Sequence, residues 1–213
     1  MNAFADTSTA HPLGRVFGLS NEEYHAGPGV SKSQLDQIAE SPATYIWAKN
    51  APVDEEKLKA FDMGSAIHCL LLEPDEFKDR FIIAPPFNRR TNAGKAEEAE
   101  FLASCAELGK TVMDAEEGRK LYLMRDSVMA HPDARWLLEQ EGHSEASFYW
   151  IDPQTQELCR IRPDRHLSNH PIMIDVKSVD DMGRFERHVE DFRYHVQDAM
   201  YSDCLLYTSD AAD

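Results

Sequence analysis

Two aspartates and a lysine carry the chemistry that can be read from this chain. Asp164 follows Pro163, and after ten intervening residues comes Asp175-Val176-Lys177. The stretch PIMIDVKSV, residues 171–179, reads as a buried strand, on which alternate side chains share a face. Asp175 and Lys177 would then project together, with Ile174 and Val176 turned the other way. If the strand that ends at Asp164 is its neighbour, two carboxylates and a lysine meet at a sheet edge. Hard oxygen donors, few of them from protein, suit Mg²⁺ or Mn²⁺, with water and a substrate phosphate completing the shell. A salt-bridged surface hairpin would use the same residue types. Charges placed in an otherwise apolar strand favour a site, because unpaired buried charge is costly.

Two helical pairs add to this set. Gln197 and Tyr201 are four apart and share a helix face, as do Gly64 and His68. The glycine admits close approach of another backbone, and the imidazole is a candidate further ligand, although a core histidine would look the same. Basic residues fall in two groups, Arg89, Arg90 and Lys95 in NRRTNAGK and Arg160, Arg162 and Arg165 around the first aspartate. Both are candidates for a phosphate track, and the first would equally serve as a solvated loop.

Composition narrows the classes. The chain has 213 residues, 42% hydrophobic and 28% charged, the balance of a folded protein with a core. With 22 basic and 38 acidic residues its formal net charge is −16. Such a mean field repels phosphates, so DNA binding would need a local basic groove or metal ions that invert the sign of an acidic pocket. The four cysteines, 69, 105, 159 and 204, form no CxxC and no cluster, which speaks against a disulfide scaffold or an iron–sulfur site and for a reducing, cytoplasmic setting. No secretory signal or membrane-spanning stretch is legible. Neither a Ser-His-Asp pattern nor a P-loop is present.

The elements that must position these residues follow from period and punctuation. Residues 1–20 read as a disordered leader. Ser31 and Gln34 form a capping box for a helix that ends at Ser41-Pro42, where a second begins. A third is expected over 61–72, a strand at 80–84, a helix after the basic loop to 108, an extended segment at 110–113, and a helix capped by Asp114 over 115–130. Period two then takes over, with a hairpin of 147–151 and 157–161 about Asp152-Pro153. The strand at 171–179 and helical spacing over 181–206 complete an α+β reading with a small mixed sheet.

Taken together, Pro163-Asp164, Asp175-x-Lys177, Gln197-x-x-x-Tyr201 and Gly64-x-x-x-His68 resemble the PD-(D/E)XK nuclease superfamily and its RecB-like branch. The wording YHAGPGVSKSQLD, WAKNAPVD, FNRRTNAGK, DAEEGRK and RYHVQDAMYSD is similar to the exonuclease VIII, or RecE-type, nucleases of prophages. The resemblance implies a restriction-endonuclease-like core, a small mixed sheet flanked by helices, over residues 21–203. It implies a Mg²⁺-dependent exodeoxyribonuclease that degrades one strand of duplex DNA from its 5′ end and leaves 3′ single-stranded tails. The implied partners are duplex DNA ends, a RecT-type annealing protein for recombination, and copies of the chain in a ring, whose acidic exterior would discourage side-on binding. Asp164 and Asp175 would be metal ligands with His68 and the Val176 carbonyl, and Lys177 would activate water. Gln197 and Tyr201 would position the nucleotide or the lysine, and Glu145 would stand where relatives keep a further acid. Residues 204–213, CLLYTSDAAD, do not look like the family's continuation, so the domain is expected to lack its C-terminal part. A RecB-like or Cas4-like single-strand nuclease, and a DNA-binding protein of the same fold without catalysis, are the alternatives; the absence of a cysteine cluster counts against the Cas4-like one.

Overall fold

The computed structural model describes residues 13–52 and 63–209, which gather into two compact units. The first contains residues 13–51, 142–175 and 179–209; the second contains 52, 63–141 and 176–178.

The second unit is built around a helix whose residues are nearly all apolar, α4 (Met63–Leu72). Ala66, Ile67, Cys69 and Leu70 from it are buried with Phe77 of the short helix α5 (Phe77–Arg80), Met113 and Leu121. Short parallel strands β2 (Phe81–Ile83) and β3 (Thr111–Met113) pair in register, Ile82 opposite Val112. The helix α6 (Asn92–Glu107) connects them, as parallel pairing requires a crossover. Helix α7 (Ala115–Ala130) starts at a full capping box between Asp114 and Glu117. It approaches β2 closely because residue 118 is glycine: a Cβ there would lie 2.5 Å from the Ile83 side chain. His131-Pro132 ends α7, as the sequence suggests, but Pro132 also opens an unforeseen helix, α8 (Pro132–Glu139). The His131 side chain caps that helix and proline occupies its first position, where a missing N–H costs nothing.

In the first unit a long antiparallel ribbon does the positioning. Strands β4 (Gly142–Ser144) and β7 (Arg165–Leu167) pair with Gly142 opposite Leu167, and β5 (Ser147–Ile151) and β6 (Leu158–Ile161) with Phe148 opposite Ile161. Both pairings share one register, so 142–151 and 158–167 are two arms of a single ribbon without a bulge. The ribbon breaks in the middle, where Pro163 cannot donate to the ladder and Glu145 adopts a left-handed backbone with φ 53°. Beyond the break each half joins a different sheet, β1-β5-β6 on one side and β4-β7-β8 on the other.

The first of these sheets corrects the expected leader: Gly14–Val16 form β1, paired antiparallel with β5. Ser20 then caps α1 (Asn21–Ala26) through a capping box with Glu23. Residues 1–12 lie outside the described residues, as does most of the connector at 53–62. The expected buried strand at 171–179 is also corrected. Only Met173–Ile174 form a strand, β8, paired on one side with β7 and half-buried, and Lys177 is exposed. The apolar run predicts an interior strand, but its backbone leaves the β7 ladder after Ile174.

The helices α2 (Lys32–Glu40) and α3 (Pro42–Asn50) form as the capping residues dictate. The helical spacing after 181 resolves into a 3₁₀ turn at Met182–Arg184, α9 (Phe185–Asp191) and α10 (Tyr194–Ser209), parted where Arg193 takes a left-handed φ of 50°. Gln197, Met200, Tyr201 and Cys204 recur at the i, i+3, i+4, i+7 spacing of one helix face. Met200 and Cys204 are buried with Ala146, Phe148, Trp150 and Ile161, and Tyr201 packs against that cluster. Cys204, the first residue of the tail expected to be foreign, is fully buried, and α10 runs through it without a break.

Candidate active site

The broken ribbon lines up three acidic residues. Continuing the β4–β7 register places Glu145 opposite Asp164, and the Glu145 N–H donates to the Asp164 carbonyl at 3.2 Å. Continuing the β7–β8 register, in which Arg165 faces Ile174, places Asp164 opposite Asp175. Glu145, Asp164 and Asp175 therefore stand in one row across three strands, at the point where the ladder is interrupted. The neighbour relation expected between the two aspartates holds, although the strand that carries it, β7, follows Asp164 rather than ending at it.

Helix α10 closes on this row through the Gln197–Tyr201 pair. Gln197 Nε2 donates to Asp175 Oδ1 and to the Tyr201 hydroxyl at 2.9 Å. The Tyr201 hydroxyl lies 3.1 Å from Asp175 Oδ1 and 3.3 Å from the Arg162 carbonyl, so its one proton serves one of these acceptors at a time. Burial, and then the negative charge of Asp175, push the phenol well above its ordinary range. It is therefore a neutral donor at any working pH. Both side chains of the pair contact the Asp175 carboxylate, an arrangement that residue spacing alone leaves open.

In the second unit His68 sits half-buried on α4, its Nε2 2.7 Å from the Val176 carbonyl. The two groups that family resemblance names as auxiliary ligands are thus partners of each other. Lys177 follows in the same unit as an exposed residue.

Among the described residues no three His, Cys, Asp or Glu side chains converge as a ready-made metal cluster. The donor chemistry nevertheless fits a hard divalent ion. Mg²⁺ is usually held by one or two carboxylates and keeps waters and substrate oxygens in the rest of its shell, so Asp164 and Asp175 suffice as the protein's contribution. Soft-metal alternatives would need thiolates, but Cys69, Cys105 and Cys204 are buried in apolar surroundings.

The basic residues separate sharply. Arg160 is 1% exposed, and its guanidinium donates to the carbonyls of Tyr24, His25 and Gly27. It cannot belong to a surface phosphate track; its length and five donors make it a strut inside the fold. Arg162 is half-buried and donates to Ser147 Oγ and the Leu19 carbonyl, and Arg165 is half-buried beside Ser144. Burial lowers the pKa of both. Both Arg160 and Arg162 lie over the Tyr24 ring, at 4.9 and 4.2 Å. Only the other basic group is at the surface. Arg89 makes a two-pronged ion pair with Glu98, and Arg90 and Lys95 are exposed. The loop is shorter than expected, because Thr91 caps α6 and Asn92–Lys95 form its first turn. Gly94 permits this fold-back, since a Cβ there would be 2.2 Å from the Asn88 carbonyl oxygen.

No helix among the described residues is long and apolar enough to cross a membrane. None of the curated proteins compared with the chain matches it. A family profile, the PDDEXK-like domain of unknown function (DUF3799), matches residues 31–211, taking in the carboxylate row, the Gln197–Tyr201 pair and most of the segment after 203. The chain therefore belongs to this PDDEXK-like family, a nuclease-type α+β domain.

Proposed function

We propose that this chain is a metal-dependent exodeoxyribonuclease acting on duplex DNA ends. The observation that carries the reading is the row of Asp164 and Asp175 with Gln197 and Tyr201 fixed on Asp175. Those four residues have the types and spacing of the PD-(D/E)XK motif set, and the family assignment supports a nuclease.

In this reading Asp164 and Asp175 hold Mg²⁺, with Mn²⁺ as substitute; the family resemblance would add His68 and the Val176 carbonyl as further donors. The bound ion would supply a nucleophile at neutral pH and neutralise charge on the scissile phosphate. The protein's residues do the remainder. Gln197 and Tyr201 keep the Asp175 carboxylate in one orientation, as outer partners of ligating carboxylates do. Lys177 orients the attacking water and offsets charge that develops on the phosphoryl oxygens. Glu145 adds a further acid to the row, and Arg89, Arg90 and Lys95 offer phosphate contacts outside it.

Polarity from the 5′ end, 3′ tails passed to a RecT-type annealing protein, and assembly of copies into a ring rest on the resemblance to the RecE-type nucleases. The direct test uses the purified chain with Mg²⁺ on duplex DNA labelled at the 5′ or the 3′ end. Early release of the 5′ label as mononucleotide, abolished by EDTA, is expected. Cleavage of single strands alone would instead favour the RecB-like alternative, and cleavage in excess chelator would defeat the metal mechanism.

A further inference from the structure

The ribbon's break needs something to hold its angle, and one residue reaches several of the parts that meet there, through its side chain and its carbonyl. Arg162 lies one residue before Pro163 and faces Ser147 across the strands. Its Nε and Nη2 donate to Ser147 Oγ at 3.0 and 2.8 Å, and Nη2 also donates to the Leu19 carbonyl at 3.1 Å. Its guanidinium lies 4.2 Å from the centroid of the buried Tyr24 ring and feels the charge of Glu145. Its own carbonyl lies within hydrogen-bond distance of the Tyr201 hydroxyl. One residue thereby ties the far strand of the ribbon, the segment before α1 and helix α10 to the corner that bears Asp164.

Ladder hydrogen bonds alone cannot fix the angle, because Pro163 has no N–H and Glu145, whose N–H reaches the Asp164 carbonyl, has left the extended conformation. A planar guanidinium with several fixed donors can. We propose that Arg162 is a positioning residue: it sets the spacing of Asp164 from Asp175 by clamping the broken ribbon, and it does not contact the DNA backbone. The inference rests on the reading of Asp164 and Asp175 as metal ligands. It replaces the phosphate-track role that the basic composition of this stretch suggests.

The test compares wild type with Arg162→Lys, Arg162→Met and Ser147→Ala. Ser147→Ala removes only the acceptor and keeps the guanidinium, so it remains informative if an Arg162 variant does not fold. The readouts are Mn²⁺ affinity by calorimetry, the split between kcat and KM, and the salt dependence of DNA binding measured in Ca²⁺. Arg162→Met is expected to weaken Mn²⁺ binding and to lower kcat about 10- to 100-fold, the usual effect of losing an outer-shell partner. KM and the salt slope should stay at wild-type values. Ser147→Ala should shift the same two quantities in the same direction by a smaller factor, and Arg162→Lys should fail to restore them because an ammonium lacks the additional Nε contact to Ser147 Oγ and the fixed planar fork over the Tyr24 ring.

A salt slope reduced by about one unit in Arg162→Met, with Mn²⁺ affinity intact, would make Arg162 a phosphate contact and overturn the proposal. Wild-type Mn²⁺ affinity and kcat in Ser147→Ala would also overturn it. Failure of the underlying reading looks different: wild type itself would then bind no Mn²⁺ and show no metal-dependent cleavage.

Discussion

Arginines on the ribbon and arginines on the loop before α6 look alike in sequence and behave differently in the fold. Arg160 and Arg162 satisfy backbone carbonyls and a serine hydroxyl around the Tyr24 ring, inside the first unit. Arg89 and Arg90 stand at the surface of the second, with one acidic partner for Arg89 and open solvent around both. The difference teaches that local positive charge marks a phosphate track only where the guanidinium has no internal acceptors. On the ribbon, arginine holds backbone in place; on the loop before α6, arginine is exposed. Each region therefore predicts its own kind of failure.

The largest effect should come from the acid row. Asp175→Asn keeps the shape and the hydrogen-bond partners but removes the charge, so nuclease activity should fall to background while the thermal midpoint stays near wild type. Next, Tyr201→Phe deletes one donor to the Asp175 carboxylate, and a loss of about 10- to 100-fold in activity or metal affinity is expected. Single-turnover cleavage would measure both.

Arg160→Met should break the ribbon side of the comparison by a different route. Removing the guanidinium leaves buried carbonyls without donors, which costs about 1–3 kcal/mol for each group left unsatisfied. A lowered denaturant midpoint with an unchanged DNA-binding salt slope is the expected outcome. Replacing Arg89 and Arg90 together with alanine should show the reverse. Stability should stay within about 0.5 kcal/mol, and the salt slope of DNA binding should fall by roughly one unit for each phosphate that is no longer neutralised.

The smallest effect concerns His25, whose pKa is lowered by burial and then by the nearby Arg160 and Arg162 charges. A folded pKa below the unfolded value means that the unfolded chain takes up more protons between the two. Stability should therefore be fully present above about pH 6.5 and decline as pH falls below it. His25→Asn should flatten that decline slightly in urea titrations at pH 5 and pH 7.5.

Much of this arrangement was legible in residue types. Capping boxes at Ser31 and Asp114, the hairpin about Asp152, and the four-residue spacings of Gly64/His68 and Gln197/Tyr201 each have a local physical cause, and each appears in the fold. The stripe of Gln197, Met200, Tyr201 and Cys204 was equally readable and would have shown that the residue after 203 belongs to the helix's buried face. What escaped depends on partners distant in sequence. The strand at Gly14–Val16 is defined only by β5, and Arg160 is a strut only because the carbonyls of residues 24–27 surround it. The pairing of Asp164 with Asp175 was legible, but placing Glu145 in the same row needs two registers joined across Pro163, where neither strand pattern is continuous. Pro163 itself was the available signal: a proline between two apolar alternations marks a ladder that stops and resumes.

The most direct test of the account measures Mn²⁺ binding by calorimetry in wild type, Asp164→Asn and Asp175→Asn, beside cleavage of end-labelled duplex DNA by the same preparations. The account predicts that wild type binds Mn²⁺ and cleaves, and that both aspartate variants lose binding and cleavage together while remaining folded. Wild-type Mn²⁺ affinity in either variant, or metal-dependent cleavage that survives the substitution, would contradict it.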